Sequence, residues 1–423
     1  MYYIDKDQVL GESDFKAYVD AFKIAFLPRL QKLNQYYHND NEIMRREFED
    51  TSKPNNKIAH SFAHYITTTN TTMFISSPVT YKSEDKLEDY EKVLETADEQ
   101  DVNINLANNA SKYGYAIQLL YVNEEPEIKM TVLDNLHTVL IFSDDVNRKL
   151  LYAISFWSTE NFNDKTTHEY MIVYSRGEII KYKDDIEVER ANNKFNDIPV
   201  ILYKNNEDMT GDYEHVIPLI DAYDLLESDS LNENEYFNNA YLYLNADNLD
   251  PEDVAKMKEN RVIYGEGLNP AFITKNAQNT DGDVEKKRIV TDIHKLSYTP
   301  DLSDENFANN VSGVAMKYKL LGTLNNIANK QRKFKKALTD RNKLIFDMMA
   351  TRMMEVPKYV DIVFTVNLPN NLLETAQMIN QLRGVVSNET LISQLPFVEN
   401  PAWELEQVAA TSSIDTFEDD VNE

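Results

Sequence analysis

The sequence predicts an α+β chain of several sub-domains, and three features lead there. Up to Gly114 the apolar residues recur every three or four positions, the period of helices that bury one face. From Tyr115 to about residue 203 the chain breaks into short runs rich in Val, Ile, Tyr and Phe, divided by Asn, Asp and Pro, as an antiparallel sheet requires. Beyond 216 the helical period returns, with the charges now sorted by sign. Helices followed by a sheet, without regular alternation, mark the α+β class. At 423 residues the chain exceeds what one hydrophobic core organises, so roughly two to four sub-domains are expected.

Residues 12–38 read as one helix, with Phe15, Val19, Phe22, Phe26, Leu30 and Leu33 on its inner face. Further helices are expected over 56–70, 84–98 and 101–113, the last ended by Gly114. Strands are expected over 115–122, 128–142, 150–157, 168–175, 178–183 and 198–203, forming one meander. Between Asp221 and Asp253 stand ten acids and no Lys or Arg, which makes a strongly acidic helix. Between Val311 and Thr339 stand seven bases (Lys317, Lys319, Lys330, Arg332, Lys333, Lys335, Lys336) and no acid. This basic helix is expected from about 311 to 352, roughly 60 Å long, with Gly322 as a candidate kink. A helix of that length is a mechanical element or an assembly surface. Residues 359–367 read as a strand, and short helices follow at 371–384, 388–395 and 400–410, the middle one started by Ser387. The tail from Thr411 is acidic and expected to be loose.

Composition excludes several function classes. With 71 acids against 43 bases the formal charge is -28, which repels polyanions and argues against a sequence-reading DNA binder. The acidity serves solubility or a surface past which a polyanion slides without sticking. The absence of cysteine excludes disulfides, thiolate metal sites and cysteine nucleophiles. The N-terminus lacks a basic segment followed by an apolar stretch, and no run of 18 apolar residues occurs, so neither a signal peptide nor a membrane span is expected.

No catalytic constellation emerges. His60 and His64 sit four apart in AHSFAH, but Ser61 stands where a zinc-protease helix needs Glu, and no third ligand is in view. Neither a phosphate-binding G-x-x-x-x-G-K-[ST] loop nor a G-x-S-x-G elbow occurs. The acidic stretch lacks a calcium-loop pattern and reads as a solvated helix face. The KQRKFKK run at 330–336 reads equally as phosphate contact or as an exposed face paired with acids of a neighbour. No enzyme activity, cofactor or metal is expected.

Residues 293–307, IHKLSYTPDLSDENF, and 312–320, SGVAMKYKL, carry a long and specific pattern. Together with VNLPNN at 366–371 and SNETLISQLPFVENPAWELE at 387–406, they resemble the portal proteins of long-tailed bacteriophages of Gram-positive hosts. Weaker matches at 56–81, 113–116 and 197–206 extend the resemblance over most of the chain. One departure lies at 75–78, where Ile75, Ser76 and Ser77 precede Pro78 and relatives commonly carry Gly before that Pro.

The resemblance implies a portal-type fold: a wing over 1–215, a first stem helix over 216–247, a clip over 248–284 and a second stem helix over 285–299. A tunnel loop then covers 300–311, a long kinked wing helix plus strand 312–369, and a crown with acidic tail 370–423. It further implies a dodecameric ring at one capsid vertex, first in the host cytoplasm and then in the virion. Double-stranded DNA passes through such a ring without sequence-specific contact. The terminase large subunit, a head–tail adaptor, scaffold and the major capsid protein dock on it. Within that frame Asp301, Ser303, Asp304, Glu305, Asn306, Phe307, Asn309 and Asn310 belong to the tunnel loop. Asp221, Asp224 and Glu235 are expected to face the channel, where acids hold phosphates off the wall. Lys330, Arg332, Lys333, Lys335 and Lys336 are expected at the subunit interface. The alternatives are a ring adaptor that encloses no DNA and an acidic hydrolase; the second lacks any compact motif.

Overall fold

The computed structural model describes residues 1–50, 53–162, 165–238, 242–245, 269–272, 280–303, 316, 318–366, 372–395, 398, 401 and 403–409. The chain divides into two compact units, one of Met1–Pro300 with Asn326–Thr365, the other of Asp301–Asn325 with Val366–Glu423.

The first unit opens with β1 (Tyr2–Ile4), α1 (Glu12–Ala25) and α2 (Leu27–Tyr37). The single helix expected over 12–38 is two. Pro28 lies in the first turn of α2, where its missing N–H breaks the ladder behind it. Phe15 and Phe22 of α1 reach Tyr152 and Phe156 across ring distances of 5.4 and 6.0 Å, so the helix lies on a sheet. Next come α3 (Phe62–Ile75), β2 (Thr80–Lys82), α4 (Glu88–Thr96) and α5 (Glu99–Tyr113). Gly114 ends α5 at φ +89°, and a Cβ there would collide with the Met209 carbonyl oxygen, so no other residue fits that turn.

The strands are β3 (Tyr115–Val122), β4 (Ile128–Leu133), β5 (Thr138–Ser143), β6 (Leu150–Glu160), β7 (Thr167–Tyr174), β8 (Glu178–Lys183), β9 (Ile186–Asn192) and β10 (Val200–Lys204). They form two sheets, not one meander. A six-stranded sheet runs β1-β5-β6-β7-β8-β9, with β1 parallel to β5 and the rest antiparallel. A three-stranded sheet runs β10-β3-β4. The run 128–142, expected as one strand, is cut by a single helical turn at Asn135–His137. The Asp134 carboxylate caps that turn through Leu136 N at 2.9 Å, and Asn135 Nδ2 donates to the Tyr115 carbonyl at 2.7 Å. β9, which no periodicity announced, is exposed on both faces and returns through Asp184 and Asp185, both at positive φ.

The C-terminal half contributes α6 (Ile217–Asn238), the strand pair β11 (Leu242–Asn245) and β12 (Asn269–Phe272), α7 (Thr280–Leu296), α8 (Leu321–Thr351) and β13 (Asp361–Val363). α6 and α7 run antiparallel: Lys286 pairs with Glu227 at 3.1 Å, and later turns of α7 reach the turn before α6. α8 has 31 residues, about 46 Å, and Gly322 falls in its first turn. Phe334 of α8 packs on Tyr203 and Phe74 at 4.7 and 5.3 Å, and β13 pairs antiparallel with β2. The second unit holds α9 (Leu372–Leu382) and α10 (Asn388–Ile392), whose Ser387 hydroxyl accepts from Thr390 N as the sequence suggested. Most of the expected clip, the end of the tunnel loop and the acidic tail lie outside the described residues.

Candidate functional site

One face of α6 is turned to the rest of the protomer. Tyr36 Oη donates to Asp221 Oδ1 at 2.5 Å. Asp224 accepts from Asn41 Nδ2 at 2.6 Å and from His60 N at 2.9 Å, and it contacts His60 Nδ1 at 2.8 Å. One turn on, Ser228 Oγ accepts from Ile58 N at 3.0 Å. Asn232 Oδ1 accepts from Asn56 N at 2.7 Å, and Glu235 Oε2 accepts from Asn56 Nδ2 at 2.7 Å. Residues 221, 224, 228, 232 and 235 are three and four apart and so share one helix face.

What they hold is an extended strap. The helix expected over 56–70 begins only at Phe62, and residues 54–61 carry no regular structure. The spans match: four extended residues from Asn56 to His60 cover about 13 Å, and eight helical residues from Asn232 to Asp224 cover about 12 Å. α6 thus supplies side-chain partners for backbone N–H groups that no ladder serves.

This corrects one expectation. Asp224 is 0% exposed and presents nothing to a channel; its carboxylate neutralises the polarity of the strap. Asp221 is half-buried. Burial raises its carboxyl above the ordinary value, while the Tyr36 hydroxyl pulls the other way. Glu235 is exposed.

The basic run is also used at home. Lys330 Nζ, buried, bonds Asp212 in a polar cluster that includes Ser111, Asn70 and Asn205. Lys333 pairs with Glu207, and Lys335 with Asp361 at 2.7 Å. All three bases are paired within the chain, and Lys330, buried, has no surface to offer a neighbouring subunit. Arg332 and Lys336 are exposed and make no ion pair with a described residue. Beside this face runs a groove of about 700 Å³ in which Lys336 and Lys343 alternate with Asp340 and Asp347, a mixed wall ill suited to phosphate.

At the base of the expected tunnel loop, Asn70 Nδ2 donates to Thr299 Oγ1 at 3.1 Å and Tyr65 Oη to the Pro300 carbonyl at 2.9 Å. In the second unit Ser303 N and Oγ both donate to Asp301 Oδ1, at 3.0 and 2.6 Å, a local turn. Asp304, Glu305, Asn306, Phe307, Asn309 and Asn310 lie outside the described residues.

Sequence reasoning missed the largest of the fully buried side chains. Arg341, wholly buried, gives Nη2 to Glu99 Oε1 at 2.6 Å and to Tyr81 Oη at 2.7 Å, and Nη1 to Asn103 at 2.9 Å. The signal was there: Arg341 follows Phe334 and Leu338 by seven and three residues, inside the apolar stripe of α8. Of the two histidines, His60 faces Asp224 and His64 lies tilted against Tyr37 at 5.1 Å. Among the described residues no group of three or more His, Asp or Glu could hold a metal, and no helix is long and apolar enough to cross a membrane.

Comparison with known proteins places this architecture. The model of the family described as phage portal protein, SPP1 Gp6-like, matches residues 17–414. The portal protein of Bacillus phage SPP1 is 23% identical, over 88% of this chain and 82% of that one. The portal protein of Clostridium phage phiCD119 is 22% identical, over 86% of this chain and 88% of that one. With a family match spanning nearly its whole length, the chain belongs to the SPP1 Gp6-like phage portal proteins.

Proposed function

We propose that this chain is the subunit of a dodecameric ring at a single capsid vertex, through which double-stranded DNA enters during packaging and leaves on ejection. The observation that carries it is the portal-family match over residues 17–414. In this reading Met1 to about residue 215 is the wing, α6 and α7 are the stem, the residues between them the clip, and α8 with β13 the long wing helix and its strand. The acids that still reach solvent on α6, Glu235 among them, hold the duplex off the wall by charge repulsion. Asp301 and Ser303 open the tunnel loop from the anchored Thr299 and Pro300. The terminase large subunit, a head–tail adaptor, scaffold and the major capsid protein are its partners, in the host cytoplasm and then in the virion, and the role is structural, without catalysis.

Light scattering and negative-stain microscopy of the purified chain test this. A particle of dodecameric mass with a central hole as wide as a duplex is the expected result. A compact dimer without a hole refutes it. Packaging by a terminase motor in the presence of the ring separates a portal from an adaptor that encloses no DNA.

A further inference from the structure

The α6–α7 hairpin presents two exposed stripes of opposite sign. On α7, Val284, Lys287, Arg288, Thr291 and Lys295 recur at helical spacing and are all exposed, while Ile289 and Ile293 on the other side are buried. That stripe holds three cations, with the exposed acids Asp283 and Glu285 one turn before Lys287 and Arg288 at its N-terminal end. α6 contains no Lys or Arg along its whole length. With one face on the strap and another on α7, it turns Leu225, Asp229 and Glu233 outward at four-residue spacing. Asp229 bonds Arg46 at 2.6 Å yet keeps 54% of its side chain exposed. Arg288 touches Glu285 at 3.2 Å and is 70% exposed.

We propose that the α7 stripe of one copy docks on the α6 stripe of the next, with Lys287 and Arg288 against Asp229 and Glu233. The proposal rests on the ring reading above. Its grounds are charge complementarity and placement: a ring closes through two different patches on each subunit, and these two lie on the two helices of one hairpin. The heights agree. From the Glu227–Lys286 pair, Asp229 lies two residues along α6 and Arg288 two residues the opposite way along α7. The offset is about 6 Å, which an arginine side chain spans. Passing DNA is the other polyanion these cations could meet, but the acids of α6 stand beside them and repel it.

Two full-length variants decide the matter: Lys287→Glu with Arg288→Glu, and Asp229→Lys with Glu233→Lys. Each puts like charges at every interface of its own ring. Each alone is expected to need a roughly tenfold or higher concentration to assemble. Mixed one to one, they are expected to assemble as wild type does, since every contact in an alternating ring pairs opposite signs. Melting curves establish that both are folded; because Asp229→Lys also breaks the Arg46 pair, Glu233→Lys alone serves as the second partner if the double change melts early. Variants that assemble alone like wild type, or folded variants that do not restore each other, overturn the proposal. So does an α7 variant whose only loss is DNA retention, which would assign the stripe to the channel. A wild-type chain that stays monomeric at every concentration and salt overturns the ring reading itself.

Discussion

Replacing Asp224 by Ala separates a wall residue from a structural one. The carboxylate serves Asn41 Nδ2, His60 N and His60 Nδ1, all within 2.9 Å, and its side chain is wholly buried. Asn41 keeps a second acceptor, the His60 carbonyl at 3.2 Å. The His60 N–H and ring nitrogen lose theirs. Leaving these part-buried donors without their charged acceptor costs about 1–2 kcal/mol each, so a loss of about 3 kcal/mol is expected. At about 1.4 °C per kcal/mol for a cooperative unit of roughly 340 residues, the melting point should fall by about 4 °C. The assay is calorimetry alongside urea unfolding, with Asp224→Asn as the conservative control, expected to lose about half as much. A variant that melts as wild type but alters DNA passage would refute the reasoning and return Asp224 to the channel wall.

Other expectations follow from the same geometry. Arg341→Met should cost about 3–5 kcal/mol by stranding Glu99, and adding Glu99→Gln should recover much of it, read as urea midpoints. Two lysines of α8 should differ: Lys330→Ala should lose about 3 kcal/mol, since its pair with Asp212 is only 6% and 4% exposed. Lys335→Ala, whose partner Asp361 is half exposed, should lose under about 1 kcal/mol and leave ring mass unchanged. Lys112 is buried with its ammonium 4.3 and 4.8 Å from the Tyr37 and Tyr113 rings, and burial lowers its pKa from 10.5 to about 8. Because the folded state disfavours its charge, that penalty is full below about pH 8 and lifts as the pH rises towards 10.5. Lys112→Met should therefore gain about 1–2 kcal/mol at pH 7 and lose that advantage by pH 10, as urea midpoints at the two pH values would show.

Much of this molecule was legible in its amino acids. Local periodicity marked α1, α5, α8 and most strands, because a helix or strand that buries one face must repeat at its own pitch. Gly114 announced the end of α5 because only glycine fits its backbone. The pattern around residues 293–320 carried the family resemblance. The sequence also showed that acids and bases gather on separate helices, but not whom they meet. A row of acids looks the same whether it faces water, a duplex or the backbone of an extended strap. Only the tertiary structure decided that residues 54–61 lie along α6 and consume Asp224, that Lys330 turns inward to Asp212, and that Arg341 fills a gap in the core stripe. The physical reason is range. Period and turn chemistry act over a few neighbouring residues, whereas these polar partners are separated by 118 to 242 positions and meet only once the helices have packed.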